Sequence, residues 1–212
     1  MKTPFIVIDG LDGSGKTTQL KLLCERAERE GKKFILTREP GGAPLSEALR
    51  ELFKSELGLK ASALTQLLMV TASRRNCMEE AVWPFLAQGI TVFSDRCDSS
   101  TLAYQVYAKN APELEEEFWR LRKLVFGEYP PTTYIFLDVL PRVARNRVVG
   151  DDTRGEISHF DAAPLKFYER VYEGFRAFEN HPTVKMYSVN GARCREEIQE
   201  DIYRIVKAEC GW

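Results

Sequence analysis

The stretch Phe5-Ile-Val-Ile-Asp-Gly-Leu-Asp-Gly-Ser-Gly-Lys-Thr17 decides the fold. Phe5 to Asp9 is an apolar run of strand length closed by an acid, which reads as a buried strand. A glycine turn follows, and then an apolar-periodic helix from about Lys16 to Glu30. Between strand and helix, Gly10 to Thr17 fits GxxxxGK[ST], in the setting that gives this pattern its meaning. Its glycines let successive backbone N–H groups converge on phosphate oxygens, an approach a Cβ would obstruct. Gly10, Leu11, Asp12, Gly13, Ser14, Gly15, Lys16, Thr17 and Thr18 are therefore candidates for holding ATP. Lys16 would reach the β- and γ-phosphates, and Thr17 would place its hydroxyl on Mg²⁺. The helix turns the positive end of its dipole toward the same anion.

Working outward, the strand–helix alternation continues. Lys33 to Thr37, Gly89 to Ser94, Thr133 to Val139 and Val184 to Val189 are further strands. Helices are expected at about Pro44 to Leu57, Ala61 to Gln88, Ser99 to Ala108 and Pro112 to Gly127, with others before and after the last strand. Short apolar strands separated by helices pair in parallel, with both sheet faces covered. The expectation is an α/β fold, a parallel sheet flanked by helices, in one domain spanning 1–212. Arg142 to Asp161 resists assignment: charge-rich, with Gly150 and Gly155, it reads as a surface loop or as a lid over a ligand.

Composition sets limits on the function. The 212 residues are 44% hydrophobic and 29% charged, too apolar and too balanced for a disordered chain. Thirty basic against 31 acidic residues, a net charge of -1, argue against a protein that coats nucleic acid. Five scattered cysteines without a CxxC pair argue against a zinc ribbon or a dithiol redox motif. No apolar run approaches the ~20 residues of a membrane span, and the amino terminus lacks the pattern of a signal peptide. The expectation is a cytoplasmic protein.

Three clusters bear on what the phosphate loop serves. Thr37-Arg-Glu-Pro-Gly-Gly42 and Asp95-Arg96 each follow a strand, at the edge where open α/β sheets bind ligands. Arg38 is a fork donor suited to a phosphate or a base edge, or else an exposed arginine in a plain turn. Asp95-Arg96 is either part of the site or a surface ion pair of little value. Arg74 and Arg75 interrupt an apolar helix, as ligand contacts or as a solvated face. Together the three gather cations on one rim, suiting a ligand with a second phosphate.

The chain resembles the thymidylate kinases. The resemblance rests on Ile8-Asp-Gly-Leu-Asp-Gly-Ser-Gly-Lys-Thr-Thr-Gln19, Thr37-Arg-Glu-Pro-Gly-Gly42, and Asp95-Arg96 with Ser100 and Ala103-Tyr-Gln105, at intervals covering nearly the whole chain. It implies transfer of the ATP γ-phosphoryl group to dTMP, in the supply of dTTP. It also implies a five-stranded parallel sheet, a lid at about 142–161 and a homodimer packed through helices. Position by position, it implies that Asp12 lies near the sugar and reacting phosphate, that Arg38 and Arg96 contact the acceptor phosphate, and that Asp95 organises Mg²⁺. Arg74 would read the pyrimidine carbonyl, and Ser100, Tyr104 and Gln105 would line base and deoxyribose. Gly13 stands where some relatives have arginine, which resembles the bacterial arrangement with a catalytic lid arginine. Arg145, Arg147 and Arg154 are the candidates, Arg154 the first choice.

Two positions depart from the family pattern. Val70 stands where a phenylalanine usually stacks on thymine, a contact worth roughly 1–3 kcal/mol per base in single-strand binders. Cys97 stands where Tyr, His or Phe usually follows Asp-Arg. Either another ring compensates, or the pocket accepts a different or modified deoxynucleoside monophosphate. A P-loop GTPase switch is not supported, because Asn190-Gly-Ala follows the fifth strand in place of Asn-Lys-x-Asp. A non-catalytic nucleotide-binding module would have no use for Arg38, Arg74 and Arg96 together.

Overall fold

The computed structural model describes residues 2–150 and 163–212. Five strands, β1 (Phe5–Gly10), β2 (Phe34–Arg38), β3 (Thr91–Asp95), β4 (Thr133–Asp138) and β5 (Met186–Asn190), form one sheet in the order β2-β3-β1-β4-β5. Every neighbouring pair is parallel. Alternation along β1 divides the core. Phe5 and Val7 face one side with Val92, Tyr134 and Phe178, while Ile6 and Ile8 face the other with Leu20, Leu23, Ile202 and Val206. The three central strands are therefore buried almost throughout, as strands covered on both faces are. At the edges β2 and β5 bury far less.

The chain runs from β1 to β2 on one side and later to β4 on the other, so the strand order reverses at β1. Such a switch point opens a crevice at the carboxyl edge. The register aligns Asp95 with both Ile8 and Arg38 there. The three loops singled out in the sequence thus leave the sheet side by side.

The helices are more interrupted than the periodicity suggests. The helix expected over Pro44 to Leu57 is two: α2 (Pro44–Lys54) and α3 (Glu56–Lys60), broken at Ser55, whose hydroxyl accepts from the Gly58 N–H. The long helix expected to reach Gln88 is α4 (Ala63–Cys77), a wider-wound turn Met78–Val82, and α5 (Trp83–Ala87). Pro84 has no N–H to bond back one α-turn, and its ring crowds that carbonyl, so the ladder widens before it. The helix expected near Ser99 is α6 (Asp98–Thr101) followed by a second wide-wound segment, Leu102–Tyr107, in which the Ala108 N–H reaches the Ala103 carbonyl at 2.9 Å. Wide turns of this kind concentrate at functional sites.

α7 (Glu115–Phe126), α9 (Leu165–Glu179) and α10 (Arg195–Cys210) complete the layers, with α1 (Lys16–Arg29) packed on α10. Gly174 lets α9 approach the wide-wound segment closely: a Cβ there would lie 2.6 Å from the Ala103 Cα. The unassigned region begins as helix α8 (Pro141–Val149), which starts on a proline and buries Ala144 and Val148, one turn apart. The rest of the expected lid, including Arg154, lies outside the described residues. Among the described residues no helix is long and apolar enough to cross a membrane.

Candidate active site

The phosphate loop connects β1 to α1. Buried Lys16 folds back onto it, its Nζ donating to the carbonyls of Gly10 at 3.0 Å and Leu11 at 2.9 Å. Asp12 lies 3.9 Å from that ammonium. Burial and the neighbouring Arg96 charge lower the Lys16 pKa to about 8, against the pull of Asp12, Asp95 and Asp9. The Leu11 side chain sits in the core beside Phe136 and Phe175, so only its backbone serves the loop. Thr17 and Thr18 are exposed at the start of α1. The buried Ser14 hydroxyl has no partner among the described residues. Gly13 has φ +83, and a Cβ on it would meet the Ala144 carbonyl oxygen of α8 at 2.2 Å. No side chain fits there, which is why this loop carries no arginine of its own at that position.

Arg96 links the loop to β3. Its backbone is left-handed at φ 67, a conformation costing about 1–3 kcal/mol and concentrated at functional sites. Ser94 Oγ donates to the Arg96 carbonyl at 2.7 Å, and the Arg96 N–H donates to Ile8 at 3.1 Å, which together hold the turn. The guanidinium then reaches Asp9 and the Gly10 carbonyl, each at 3.1 Å, Ser100 at 2.8 Å, and Asp12. Tyr104 donates its phenol proton to Asp12 at 3.0 Å, and its ring lies 5.3 Å from the same guanidinium. Asp9 is fully buried and also accepts from the Gly10 N–H and the hydroxyls of Ser99 and Ser100. Burial raises its pKa, with Arg96 and Lys16 opposing.

Beside this network lies a cavity of about 310 Å³. Arg38, Val70, Arg74, Arg96, Cys97, Ser100, Tyr104 and Gln105 all line it, together with Asp12 and Asp95. The two adjacent arginines of α4 separate here. Arg74 is 4% exposed and bound to Glu39 at 2.5 Å, whereas Arg75 pairs with Glu79 on the surface. Arg38 stays largely exposed and pairs through both Nε and Nη2 with Glu47.

Six further residues line the cavity: Glu39, Pro40, Arg50, Phe53, Lys54 and Thr101. Phe53 adds a ring to a lining in which Val70 supplies none and Tyr104 supplies another. Glu39 and Pro40 stand inside a motif already quoted, and Arg50, Phe53 and Lys54 sit on the last turns of α2. An arginine and an aromatic three residues apart on an amphipathic helix were the only available signal. Asp9, an acid ending a fully buried strand, was the clearer one. Arg145 donates to the Ala163 carbonyl at 3.0 Å, while Arg147 reaches the carbonyls of Gly13 at 3.5 Å and Gly191 at 3.1 Å.

A second groove, about 560 Å³, runs along α1 and β2 and is bordered by both Thr17 and Asp95. The two residues expected at the metal thus share one space. Among the described residues no group of three or more His, Cys, Asp or Glu is placed to hold a metal ion.

Residues 8–202 match the family model described as thymidylate kinase. Relatives named thymidylate kinase include one from Vibrio parahaemolyticus, 33% identical over 95% of this chain and 94% of its own length. Another, from Synechococcus, is 37% identical over 96% of this chain and 95% of its own. The crystal structure of thymidylate kinase from Ehrlichia chaffeensis superposes with a TM-score of 0.71 at 29% identity, covering 96% of this chain and 98% of that one.

Proposed function

The chain belongs to the thymidylate kinase family, and on that premise we infer that it is a phosphotransferase moving the γ-phosphoryl group of ATP to dTMP. The observation that carries the reading is the cavity itself. All eight residues expected at the acceptor line it, and the phosphate-loop acid Asp12 lies in the same wall.

The charge problem of the reaction explains the residues. The phosphoryl group passes through a loose transition state with charge spread over its oxygens, so positioning and electrostatic stabilisation do most of the catalysis. Lys16 exchanges its two loop carbonyls for the β- and γ-phosphates of ATP, and the Ser14 hydroxyl, without a partner among the described residues, is a further donor in the cradle. Arg96, fixed by Asp9 and Ser100, holds the acceptor phosphate against the P-loop, while Arg38 gives up Glu47 to join it. Asp12, between Arg96 and Tyr104, keeps both at the reacting end. Val70, Cys97, Ser100, Thr101, Tyr104 and Gln105 surround base and sugar, with Arg74 as the cation at the base.

Thr17 and Asp95 suit Mg²⁺. With no carboxylate cage among the described residues, the ion would be held by these two oxygens, substrate phosphates and water, as Mg²⁺ commonly is. When bound, it would neutralise charge on the phosphates. α8 approaches Gly13 closely, and the lid arginine that the resemblance implies, Arg154 first among the candidates, would supply a further cation. Closure of such a lid would exclude the water that could otherwise accept the phosphoryl group. Exposed leucines on α2 (Leu45, Leu52), α3 (Leu57), α4 (Leu64, Leu68) and α7 (Leu124) support a homodimer formed through helices.

An ADP-release assay with ATP and a panel of dTMP, dUMP, 5-substituted dUMP, dGMP and dCMP tests the reading. Turnover fastest with dTMP is the expected result. No ADP release with any of these acceptors would leave only a nucleotide-binding module, and a clear preference for another base would overturn the substrate.

A further inference from the structure

The cavity contains a buried polar cluster that the phosphoryl chemistry does not use. Arg74 donates from Nε to Glu39 Oε2 at 2.5 Å and from Nη2 to the Thr101 hydroxyl at 2.7 Å. The other carboxylate oxygen of Glu39 accepts from the Cys97 thiol at 3.2 Å. Arg74, Glu39, Cys97 and Thr101 are each less than 5% exposed. They come from α4, the loop after β2, the loop after β3, and α6, so the cluster joins four separate parts of the cavity wall.

A guanidinium has donors only. With Nε and Nη2 engaged, Nη1 is the nitrogen of Arg74 without an acceptor among the described residues. Whatever meets it in the cavity must present an acceptor, because a donor would leave two buried polar groups facing each other unpaired. That discrimination holds only while the guanidinium cannot rotate. An arginine that is not clamped would swing its donors away from the base, leaving nothing to penalise an amino group in place of a carbonyl.

We propose that Glu39 is a positioning residue for base selection: with Cys97 and Thr101 it clamps Arg74 so that one donor edge faces the base of the acceptor nucleotide. The proposal rests on the thymidylate reading above, since it assigns that base a carbonyl where cytosine carries an amino group. Cys97 is suited to the task because it caps the second oxygen of Glu39 without adding a charge. Burial also keeps its thiol protonated, and so a donor.

The test compares dTMP with dCMP in wild-type protein and in Glu39→Gln, Thr101→Val, Cys97→Ala and Cys97→Ser, at saturating ATP and with thermal unfolding recorded for each. Glu39→Gln and Thr101→Val are expected to raise KM for dTMP about tenfold with a smaller change in kcat, and to lower the dTMP-to-dCMP ratio of kcat/KM about tenfold. Cys97→Ser, which still donates, retains more of that ratio than Cys97→Ala. A lower Tm with an unchanged ratio would make the cluster merely structural and overturn the proposal. If Glu39→Gln leaves Arg74 unpaired and fails to fold, Thr101→Val and Cys97→Ala decide by the same ratio. A wild-type enzyme that turns over dTMP beside variants of unchanged ratio sinks the clamp alone; a wild-type enzyme inactive on dTMP sinks the function and the clamp together.

Discussion

The phosphate loop and the acceptor cavity adjoin at the carboxyl edge of the sheet, yet they hold their cations by opposite means. Lys16 rests on two neutral carbonyls of its own loop, and its pKa is lowered to about 8. Arg96 and Arg74 are each bound to buried carboxylates contributed from elsewhere in the chain. The donor side is a backbone cradle with one loosely committed charge. On the acceptor side, every buried cation has been fixed in advance by tertiary contacts. Removing a cation should therefore cost the donor side activity and the acceptor side stability as well.

Lys16→Ala should show the largest effect on rate, a loss of roughly a thousandfold or more in ADP release. Thermal unfolding should be little changed, since the lost hydrogen-bond partners are backbone carbonyls and Asp12 keeps its pairing with Arg96. Near-normal turnover would break the assignment of the loop.

Arg96→Met should lower kcat/KM for dTMP by roughly a hundredfold. It should also destabilise the protein by about 3–5 kcal/mol, because fully buried Asp9 loses its cation. At this size that is a drop in Tm of about 10 °C. Calorimetry showing no loss of stability would erase the contrast with Lys16.

The pH dependence sharpens the donor side. Phosphate binding needs the charged ammonium, so KM for ATP should be flat below pH about 8 and rise above it, by up to about tenfold per pH unit. At saturating ATP kcat should change less, because bound phosphates favour the protonated form. For folding the sign is reversed. A lysine whose folded pKa lies below its unfolded value binds fewer protons when folded, so its contribution to stability improves as pH rises from about 8 toward 10.5. A KM for ATP that stays flat through pH 9.5 would contradict the buried, lowered lysine.

Glu47→Gln should have the smallest effect. Arg38 is 57% exposed, and exposed ion pairs contribute about 0–1 kcal/mol. KM for dTMP should stay within about threefold of wild type. A loss comparable to that of Arg96→Met would mean that Arg38, too, depends on a preset partner.

The contrast also marks how far the sequence could be read. The P-loop was legible because its chemistry is local: one strand, eight residues and a helix start suffice to build it. Arg38, Arg74, Arg96 and Tyr104 were legible through motif spacing and resemblance, and the structure brings them to one cavity. Asp9, Glu39, Arg50, Phe53 and Thr101 were quoted or passed over without a role, because nothing near them in the chain reveals their partners. Glu39 meets Arg74 across 35 positions, and Asp9 meets Arg96 across 87. Helix breaks at Ser55 and before Pro84 were missed because periodicity persists through an interruption that one residue creates.

By itself, the sequence determined the strand–helix alternation, the strand-to-helix phosphate loop and the set of cations at the sheet edge, all consequences of short-range patterning and glycine stereochemistry. The tertiary structure alone decided which cations are buried, which carboxylates fix them, and why Gly13 admits no side chain. Those outcomes depend on the register that aligns Asp95 with Ile8 and Arg38 and on the approach of α8 to the loop. Burial and pairing are properties of the packed molecule, and no window of the chain encodes them locally.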